Sequence, residues 1–375
     1  MRIGMMALPG TASPEDLRSL GVSSLRVQFR TLLSDGTPDP AGVDEFRALW
    51  APCVQAGFQL HGISPFPSDL PGGDPTEASW SLAWRRAGAG IAEALGDLVG
   101  SWQIGNELNI WQFRAPMRTL PAAARFVADV ADGLRQGSHD VRLGINAFGV
   151  GESTAELYGY VYGPGAALSL DYVGVDAYPG CWEDGGPESW HTIIDRVWSL
   201  GGGRPVVVCE IGFPSRGDIA VPGELDAYLR RLGYRHLSEV EADRDRLLAA
   251  SPGPLAAAFA KLPTESWAED FEDSAGHLLK KWRRSWGGGA HTPEKQARYF
   301  SEALEFLLVD PRIEELILFM FQDPPVCWSC GQPDCPLETS WGFVDLDGRR
   351  KPVFGAVETM VHRLGIVAGP SRQVG

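Results

Sequence analysis

The strongest constraint on the fold is an eightfold alternation of short apolar runs with amphipathic stretches. Each run is rich in Val, Ile, Leu and aromatic residues, ends in Gly, Pro or polar residues, and is followed by a helical pattern. Strands that are buried on both faces are almost continuously hydrophobic, and their alternation with helices indicates a parallel sheet. The eight predicted strands begin at Arg2, Ser24, Phe58, Ser101, Val141, Asp171, Pro205 and Leu316.

The segments between these runs have helical signals. In TPEKQARYFSEALEFLLVD, Thr292 suits an N-cap and Pro293 suits the first helical position. Eight strands that alternate with helices predict a (β/α)8 TIM barrel. An open doubly wound sheet is the competing arrangement, but no G-x-G-x-x-G motif follows the first strand. The apolar face of the example helix consists of Phe300, Ala303, Leu304, Leu307 and Leu308.

The connection between strands seven and eight departs from this repeat. The segment 214–289 is much longer than a usual connection, has dense charge, and contains helical runs such as DAYLRRL and GHLLKKWRRSW. It shows no strand pattern. We therefore expect one barrel domain over residues 1–375, with a helical insertion at 214–289 that packs over the rim or side of the barrel.

Two glutamates follow the apolar runs of strands four and seven. Asn106 and Glu107 follow the apolar residues of strand four in WQIGNEL, and Glu210 follows those of strand seven in PVVVCEI. A carboxylate at the end of a buried strand must return to solvent, be paired, or take part in chemistry. In a TIM barrel both glutamates would lie at the carboxyl end of the strands, where active sites form.

The alternation of residues in strand seven predicts which side chains face the barrel interior. A period of two places Val206, Val208 and Glu210 on one face and turns Val207 and Cys209 toward the helices. The glutamate of strand four would then stand across the barrel mouth from that of strand seven. Two carboxyls about 5 Å apart suit glycoside hydrolysis with retention, in which one protonates the leaving oxygen and the other attacks the anomeric carbon.

With these residues, the chain resembles the clan A glycoside hydrolases, whose acid/base and nucleophile stand at the ends of strands four and seven. The resemblance covers most of the barrel. It implies that Glu107 is the general acid/base and that Glu210 is the nucleophile. It also implies that Asn106 hydrogen-bonds the 2-hydroxyl of the sugar, a contact that strengthens as the ring approaches an oxocarbenium ion.

Further residues extend this resemblance. Arg26 in SLRVQF looks like the arginine that keeps the nucleophile ionised, and His61 in QLHG resembles the strand-three histidine. Tyr178 in VDAYPG resembles the tyrosine that donates to the nucleophile, and Trp341 would form the floor of the sugar subsite. Apart from the resemblance, Arg26 could be part of an inner-barrel salt bridge, His61 a satisfied core histidine and Tyr178 a packing residue. The place of Tyr178 after a strand favours the site. Many members have histidine two residues before the tyrosine, whereas this chain has Asp176, which alters the local hydrogen bonding.

The tryptophans and the net charge indicate which class of molecule the protein binds. Several of the 13 tryptophans fall in loops after strands, where an indole can stack on the apolar face of a pyranose, although ordinary packing is the alternative. A formal net charge of -15 argues against nucleic acid and anionic membranes as partners. We therefore expect a carbohydrate substrate. The loop tryptophans are Trp111, Trp182, Trp328 and Trp341.

The amino-terminal residues and the hydropathy of the chain indicate its cellular location. The first residues, MRIGMMALPG, have a strand-and-turn pattern rather than that of a signal peptide. No apolar run reaches the roughly 18 residues that a membrane helix needs. We therefore expect a cytoplasmic protein.

Four cysteines are predicted to lie on the same rim of the barrel. Cys327, Cys330 and Cys335 stand in CWSCGQPDC after strand eight, and Cys181 follows strand six. Because C-x-x-C spacing lets two sulfurs reach one ion, four thiolates could hold a structural zinc ion. Free thiols and a disulfide are the alternatives. A closed four-thiolate site has no open coordination position, so we expect no catalytic metal and no required cofactor.

Two other functions fit the same barrel. Because fold alone does not define function, a catalytically inactive carbohydrate-binding or scaffold protein is the main alternative. A metal-dependent hydrolase is disfavoured, because no His-x-His follows strand one and the strand ends have few histidines.

Overall fold

Eight parallel strands close into a barrel in a computed structural model, which describes residues 1–70, 72–166, 169–262 and 267–366. Each strand pairs with its neighbour in the chain, and β8 pairs with β1. The predicted (β/α)8 barrel is therefore confirmed. The strands are β1 (Arg2–Met6), β2 (Val22–Gln28), β3 (Gln59–Ile63), β4 (Val99–Gln103), β5 (Arg142–Ile145), β6 (Tyr172–Ala177), β7 (Val206–Ile211) and β8 (Ile313–Leu318).

Helices form the outer layer. None of the described helices combines the length and apolarity needed to cross a membrane. The helices are α1 (Pro14–Ser19), α2 (Pro40–Gln55), α3 (Ala78–Leu95), α4 (Trp111–Arg114), α5 (Leu120–Gly137), α6 (Glu152–Tyr162), α7 (Trp190–Leu200), α8 (Glu224–Arg231), α9 (Leu237–Ala242), α10 (Arg244–Ala250), α11 (Gly253–Ala260), α12 (Trp267–Leu279), α13 (Pro293–Leu307) and α14 (Pro352–Arg363).

The N-terminal signals of α13 are confirmed. The Thr292 hydroxyl accepts a hydrogen bond from the Lys295 amide at 3.2 Å, and Pro293 occupies the first helical position. This cap satisfies one of the backbone donors that a helix start leaves unpaired. All five residues of the predicted apolar face are buried against the barrel: Phe300, Ala303, Leu304, Leu307 and Leu308.

Among the strand boundaries that differ from the prediction, two place carboxyls of the barrel interior and mouth. β4 ends at Gln103, because Gly105 and Glu107 have φ angles of 66° and 43° that a strand cannot contain. β8 begins at Ile313 rather than Leu316, so that Glu315 lies within the strand and inside the barrel. The glutamate predicted to end strand four therefore stands in the loop that follows it.

The predicted facing of β7 is wrong. Val207 and Cys209 form a small apolar cluster with Tyr172 and Ile317, separate from the main core that Val206 joins. Tyr172 of β6 reaches across the barrel, and its hydroxyl lies 3.0 Å from the His61 ring of β3. This cluster therefore fills the barrel interior. The pairing of β6 with β7 and of β7 with β8 shifts near Glu210. This irregularity lets the glutamate face inward next to an inward-facing cysteine.

The helical insertion between β7 and β8 contains α8 to α12 in the described residues. It touches two loops at the carboxyl end of the barrel. The Trp111 indole N–H of α4 donates to the Lys261 carbonyl at 2.8 Å, and the ring of Trp282 lies 5.5 Å from that of Trp341. The division into one domain with an insertion at 214–289 stays a prediction.

Candidate active site

Glu210 lies near the end of β7 and is 7% exposed. One oxygen of its carboxylate accepts a hydrogen bond from the guanidinium of Arg26 on β2. The other oxygen accepts a hydrogen bond from the hydroxyl of Tyr178, which follows β6. Because hydrogen bonds from a cation and a hydroxyl favour the ionised form, this arrangement stabilises a carboxylate anion at the mouth of the barrel.

Arg26 contacts residues of three other strands, β4, β6 and β7. Its Nε and second terminal nitrogen donate to Gln103 Oε1 of β4 at 3.1 and 2.9 Å, and the latter also donates to Asn106 Oδ1 at 2.8 Å. Burial opposes the charge of Arg26, but the carboxylates of Glu210 and Asp176 outweigh it and raise the pKa of Arg26 above its ordinary value. The guanidinium is therefore a permanent positive charge in a fixed orientation.

The amide of Asn106 has its oxygen turned inward. This oxygen accepts hydrogen bonds from Arg26 at 2.8 Å, Gln103 Nε2 at 3.0 Å and Asn146 Nδ2 at 3.0 Å. Because three donors converge on one oxygen, the amide orientation is determined and the Nδ2 group is left to donate elsewhere. Asn106 is 8% exposed at the rim, so this donor is available to a ligand in the cleft.

Glu107 stands in a strained backbone conformation. Its φ angle of 43° lies in the left-handed region, which side chains other than glycine seldom adopt. The Glu107 amide donates to Asn146 Oδ1 at 2.9 Å, and its carbonyl accepts from the Ile110 amide at 2.8 Å. Such strain persists where surrounding contacts enforce it, and it concentrates at functional sites.

The carboxyl of Glu107 favours the protonated form. Burial, followed by the negative charge of Glu210, raises the pKa of Glu107 to about 8, although Arg26 acts in the opposite direction. Glu338, in the loop after β8, adds a smaller repulsion. Burial is therefore the larger cause of the raised pKa of Glu107, and the charge of Glu210 is the second. At neutral pH the protonated form of Glu107 therefore predominates, next to the Glu210 carboxyl that accepts from Arg26 and Tyr178.

Asp176 is a third carboxyl beneath this pair. It is completely buried on β6, and its Oδ2 accepts from Asn146 Nδ2 at 2.5 Å and lies 3.9 Å from Arg26. Burial, followed by the charges of Glu210 and Glu107, raises the pKa of Asp176 well above its ordinary range. Burial therefore favours the protonated form of Asp176, whose carboxyl also interacts with that of Glu107.

Trp341 is brought to this site but is enclosed. Its ring centroid lies 5.1 Å from Tyr178 and 5.6 Å from Phe319, and the side chain is 1% exposed. The structure therefore places Trp341 as packing next to Tyr178, not as an open face for a sugar. Trp328, in contrast, is 48% exposed and contacts Phe319 from the outer side.

The structure does not bring His61 to the carboxylate pair. Its Nδ1 lies 3.2 Å from Glu315 Oε2, and its Nε2 lies 3.0 Å from the Tyr172 hydroxyl. Both ring nitrogens are thus engaged inside the barrel. The histidine acts as a buried structural residue in this structure, which was the alternative considered from the sequence.

Sequence reasoning missed Gln103, Asn146 and Glu338. Gln103 joins Arg26 to the β4 loop, and Asn146 joins that loop to Asp176. The available signal was a single polar residue at the end of each apolar run, as in SWQ and GIN. No motif distinguishes Glu338.

A groove of about 370 Å³ opens next to the Glu107 loop. It begins at Asn109 and at Phe148, whose ring stacks on Tyr178 with centroids 6.2 Å apart. Trp111 lines its far side. An elongated ligand that reached the carboxylates could extend into this groove. Its other lining residues are Ile110, Arg114, Gly149, Val150, Gly151, Ser153 and Glu183.

The cysteine prediction requires a correction. Cys327, Cys330 and Cys335 do converge, but the fourth member of the group is His277 of α12 rather than Cys181. Cys181 points away, and its thiol donates to the Tyr178 carbonyl at 3.3 Å. His277 lies 50 residues before Cys327 in the insertion, so the spacing of the cysteines does not indicate it.

The fold and the polar barrel mouth define a (β/α)8 barrel whose solved structural neighbours are glycoside hydrolases. No protein-family model matches the chain, and no curated protein matches it. Among solved structures, the chain is similar to a glucosidase from Croceicoccus marinus, with 12% identity and a TM-score of 0.58, over 97% of this chain and 67% of that one.

Two further solved structures show the same similarity. A family 1 β-glucosidase from Thermotoga maritima has 14% identity and a TM-score of 0.55, over 94% of this chain and 85% of that one. A GH2 β-galacturonidase from Eisenbergiella tayi has 13% identity and a TM-score of 0.53, over 96% of this chain and 50% of that one. The chain thus spans about half the length of the galacturonidase. At these identities the likeness shows a shared barrel fold.

Proposed function

We propose that the chain is a retaining glycoside hydrolase that cleaves a β-linked glycoside by double displacement. One observation supports this above the others: the carboxyls of Glu107, in the loop after β4, and of Glu210, near the end of β7, have different surroundings. Glu210 accepts hydrogen bonds from Arg26 and Tyr178, whereas burial and the charge of Glu210 raise the pKa of Glu107 to about 8. A nucleophile and a proton donor are the pair that retention requires.

In the first step, Glu107 donates its proton to the glycosidic oxygen while a Glu210 oxygen attacks the anomeric carbon. The bond to the leaving group breaks, the alcohol departs, and a glycosyl ester forms on Glu210. Arg26 and Tyr178 hold the attacking carboxylate in place. As the ester forms, the charge that raises the pKa of Glu107 disappears, which favours loss of its proton.

In the second step, the Glu107 carboxylate takes a proton from water, and the resulting hydroxide attacks the anomeric carbon. The ester bond breaks, and Glu210 leaves as a carboxylate again. Two inversions at one carbon give net retention of configuration. Glu107 ends the cycle protonated, so that no cofactor is consumed.

Asn106 and the groove supply substrate contacts. The Nδ2 group of Asn106 is the donor we assign to the sugar 2-hydroxyl, because its oxygen is occupied by Arg26, Gln103 and Asn146. The groove next to the Glu107 loop suits the leaving group, since it adjoins the proton donor. The β-glucosidase and β-galacturonidase names of the neighbours support a β-linked substrate.

Trapping of the ester tests this proposal. A panel of aryl glycosides identifies the sugar, and the matching 2-deoxy-2-fluoro glycoside is then incubated with the protein. We expect peptide mass spectrometry to locate a stable adduct on Glu210. The variant E210Q should lose turnover and labelling, whereas E93Q, a change at an exposed glutamate on α3, should retain both.

Two outcomes would contradict the proposal. Full activity of E210Q would exclude Glu210 as the nucleophile. Sugar binding without hydrolysis of any glycoside in the panel would favour the carbohydrate-binding or scaffold alternative.

A further inference from the structure

Four metal-binding side chains from two distant segments converge outside the carboxylate site. His277 lies near the end of α12, and Cys327, Cys330 and Cys335 lie in the loop after β8. One ligand atom from each residue lies within 4.8 Å of all the others, and all four residues are buried. A compact group of three thiols and one imidazole is a donor set typical of structural zinc.

Two nitrogen–sulfur separations in this group match those around a tetrahedral ion. Bonds of about 2.3 Å to sulfur and about 2.0 Å to nitrogen place the nitrogen about 3.6 Å from each sulfur. His277 Nδ1 lies 3.5 Å from Cys327 Sγ and 3.7 Å from Cys335 Sγ. These two separations are those expected for a nitrogen and two sulfurs that share one tetrahedral ion.

The loop that presents the sulfurs is a tight turn. The Gly331 amide donates to the Cys327 carbonyl at 2.8 Å, and the Cys327 amide donates to the Gln332 carbonyl at 3.0 Å. Gly331 has a φ of 70°, which suits glycine at this point. The Cys330 amide also lies 3.4 Å from Cys327 Sγ, and such an N–H donor stabilises a thiolate.

We propose that His277, Cys327, Cys330 and Cys335 bind one structural zinc ion. The four ligands complete the tetrahedron, so the ion has no position for a catalytic water. A disulfide would join two of the three sulfurs and would leave the third thiol and the convergent imidazole without a role. This proposal is independent of the proposed glycosidase function.

The ion would fasten the insertion to the β8 loop. Gly276, next to the histidine ligand, allows close approach, since a Cβ there would lie 2.9 Å from Leu337 Cδ2. The ring of Trp182 lies 6.1 Å from His277 and 4.9 Å from Trp282, which in turn contacts Trp341. The zinc site thus supports the aromatic residues behind Tyr178 without touching the carboxylates.

Metal analysis of the full chain tests the site. Protein purified from zinc-supplemented medium should contain one zinc ion per chain by plasma mass spectrometry. H277A and C330S should lose most of that zinc, whereas C181A and C53S should retain it. The C181A variant tests whether Cys181, the fourth ligand suggested by the sequence, binds zinc in place of His277. Circular dichroism checks that each variant is folded.

X-ray absorption at the zinc edge keeps the proposal testable if a ligand variant does not fold. The unmodified protein should show three sulfur neighbours at about 2.3 Å and one nitrogen neighbour at about 2.0 Å. A shell of four sulfurs, or loss of zinc from C181A alone, would overturn the assignment of His277. Failure of the unmodified protein to hold zinc through dialysis would overturn the site itself.

Discussion

Protonation of Glu107 predicts that activity falls as pH rises through about 8. Burial and the charge of Glu210 raise the pKa of this carboxyl from 4.5 to about 8, and the protonated form is the proton donor. At pH 7 the acid form therefore outnumbers the carboxylate by about ten to one. The expected basic limb of log kcat/KM reports the free enzyme and should lie near pH 8.

The magnitude of the effect depends on the leaving group. General acid catalysis contributes about 10²- to 10⁴-fold, or about 3 to 5 kcal/mol of barrier. E107Q should therefore slow glycosides with alkyl leaving groups by that factor. Aryl glycosides with acidic phenols need little protonation, so their first step should change far less, and the basic limb should disappear from their kcat/KM profile.

The assay measures kcat/KM between pH 5 and pH 9.5 for a series of aryl glycosides of graded phenol pKa. E338Q provides a graded perturbation, because Glu338 is a minor cause of the raised pKa of Glu107, and its basic limb should move slightly to lower pH. If the basic limb of the kcat/KM profile is unchanged in E107Q, Glu107 is not the group that titrates near pH 8. Equal losses for activated and unactivated substrates would refute its role as acid.

The same shift predicts a change in stability. A carboxyl with a folded pKa above its unfolded value costs stability as pH rises from about 4.5 to about 8. E107Q removes that cost, since glutamine does not ionise. Calorimetry should show E107Q unfolding at a higher temperature than the parent at pH 8.5, with a smaller difference at pH 5. An equal difference at both pH values would contradict the raised pKa.

Three further changes separate catalysis from stability. Y178F removes a hydrogen bond to the Glu210 carboxylate, worth about 1.5 to 3 kcal/mol, so kcat should fall about 10- to 100-fold with an unchanged circular dichroism spectrum; an unchanged kcat would contradict this. N146A frees the Glu107 amide, and we expect a lower kcat/KM and a displaced basic limb, checked against the parent profile. The pKa of Glu315 is lowered to about 2, so the ionised carboxylate stabilises the fold above pH 4.5, and this stabilisation is lost as pH falls toward 2. In denaturant titration at pH 7, E315Q should lower the free energy of unfolding by about 3 kcal/mol and should retain kcat.

The barrel was predictable because its strands are buried on both faces, and the predictions failed where a polar residue interrupts that pattern. Glu315 broke the apolar run of strand eight, so the strand was predicted to begin at Leu316. In the structure Glu315 Oε1 accepts from the Ser24 hydroxyl at 2.5 Å, and Oε2 faces His61 and Arg2. These partners are distant in sequence, so no local pattern reveals that the charge is satisfied.

Residues of the candidate site were predictable where they come directly after an apolar strand. Glu107, Asn106 and Glu210 stand out because polar residues follow long apolar runs. The facing of β7 was not predictable, because an irregularity near Glu210 interrupts the period of two. His277 was missed for a different reason: its three partners lie beyond the insertion, and only the folded chain brings them together.

The interior polar groups form two layers, and each layer neutralises its own charge. In the lower layer, Glu315 pairs with His61, and Tyr172 donates to the Trp102 carbonyl at 3.0 Å. The upper layer contains Arg26 between carboxyls. Because a buried charge without a partner is costly, the paired lower layer can stabilise the barrel. The upper layer combines Glu107 and Asp176, whose pKa values are raised, with Glu210, which pairs with Arg26. Changes in the two layers should therefore be additive in unfolding free energy, and only those in the upper layer should alter the pH dependence of turnover.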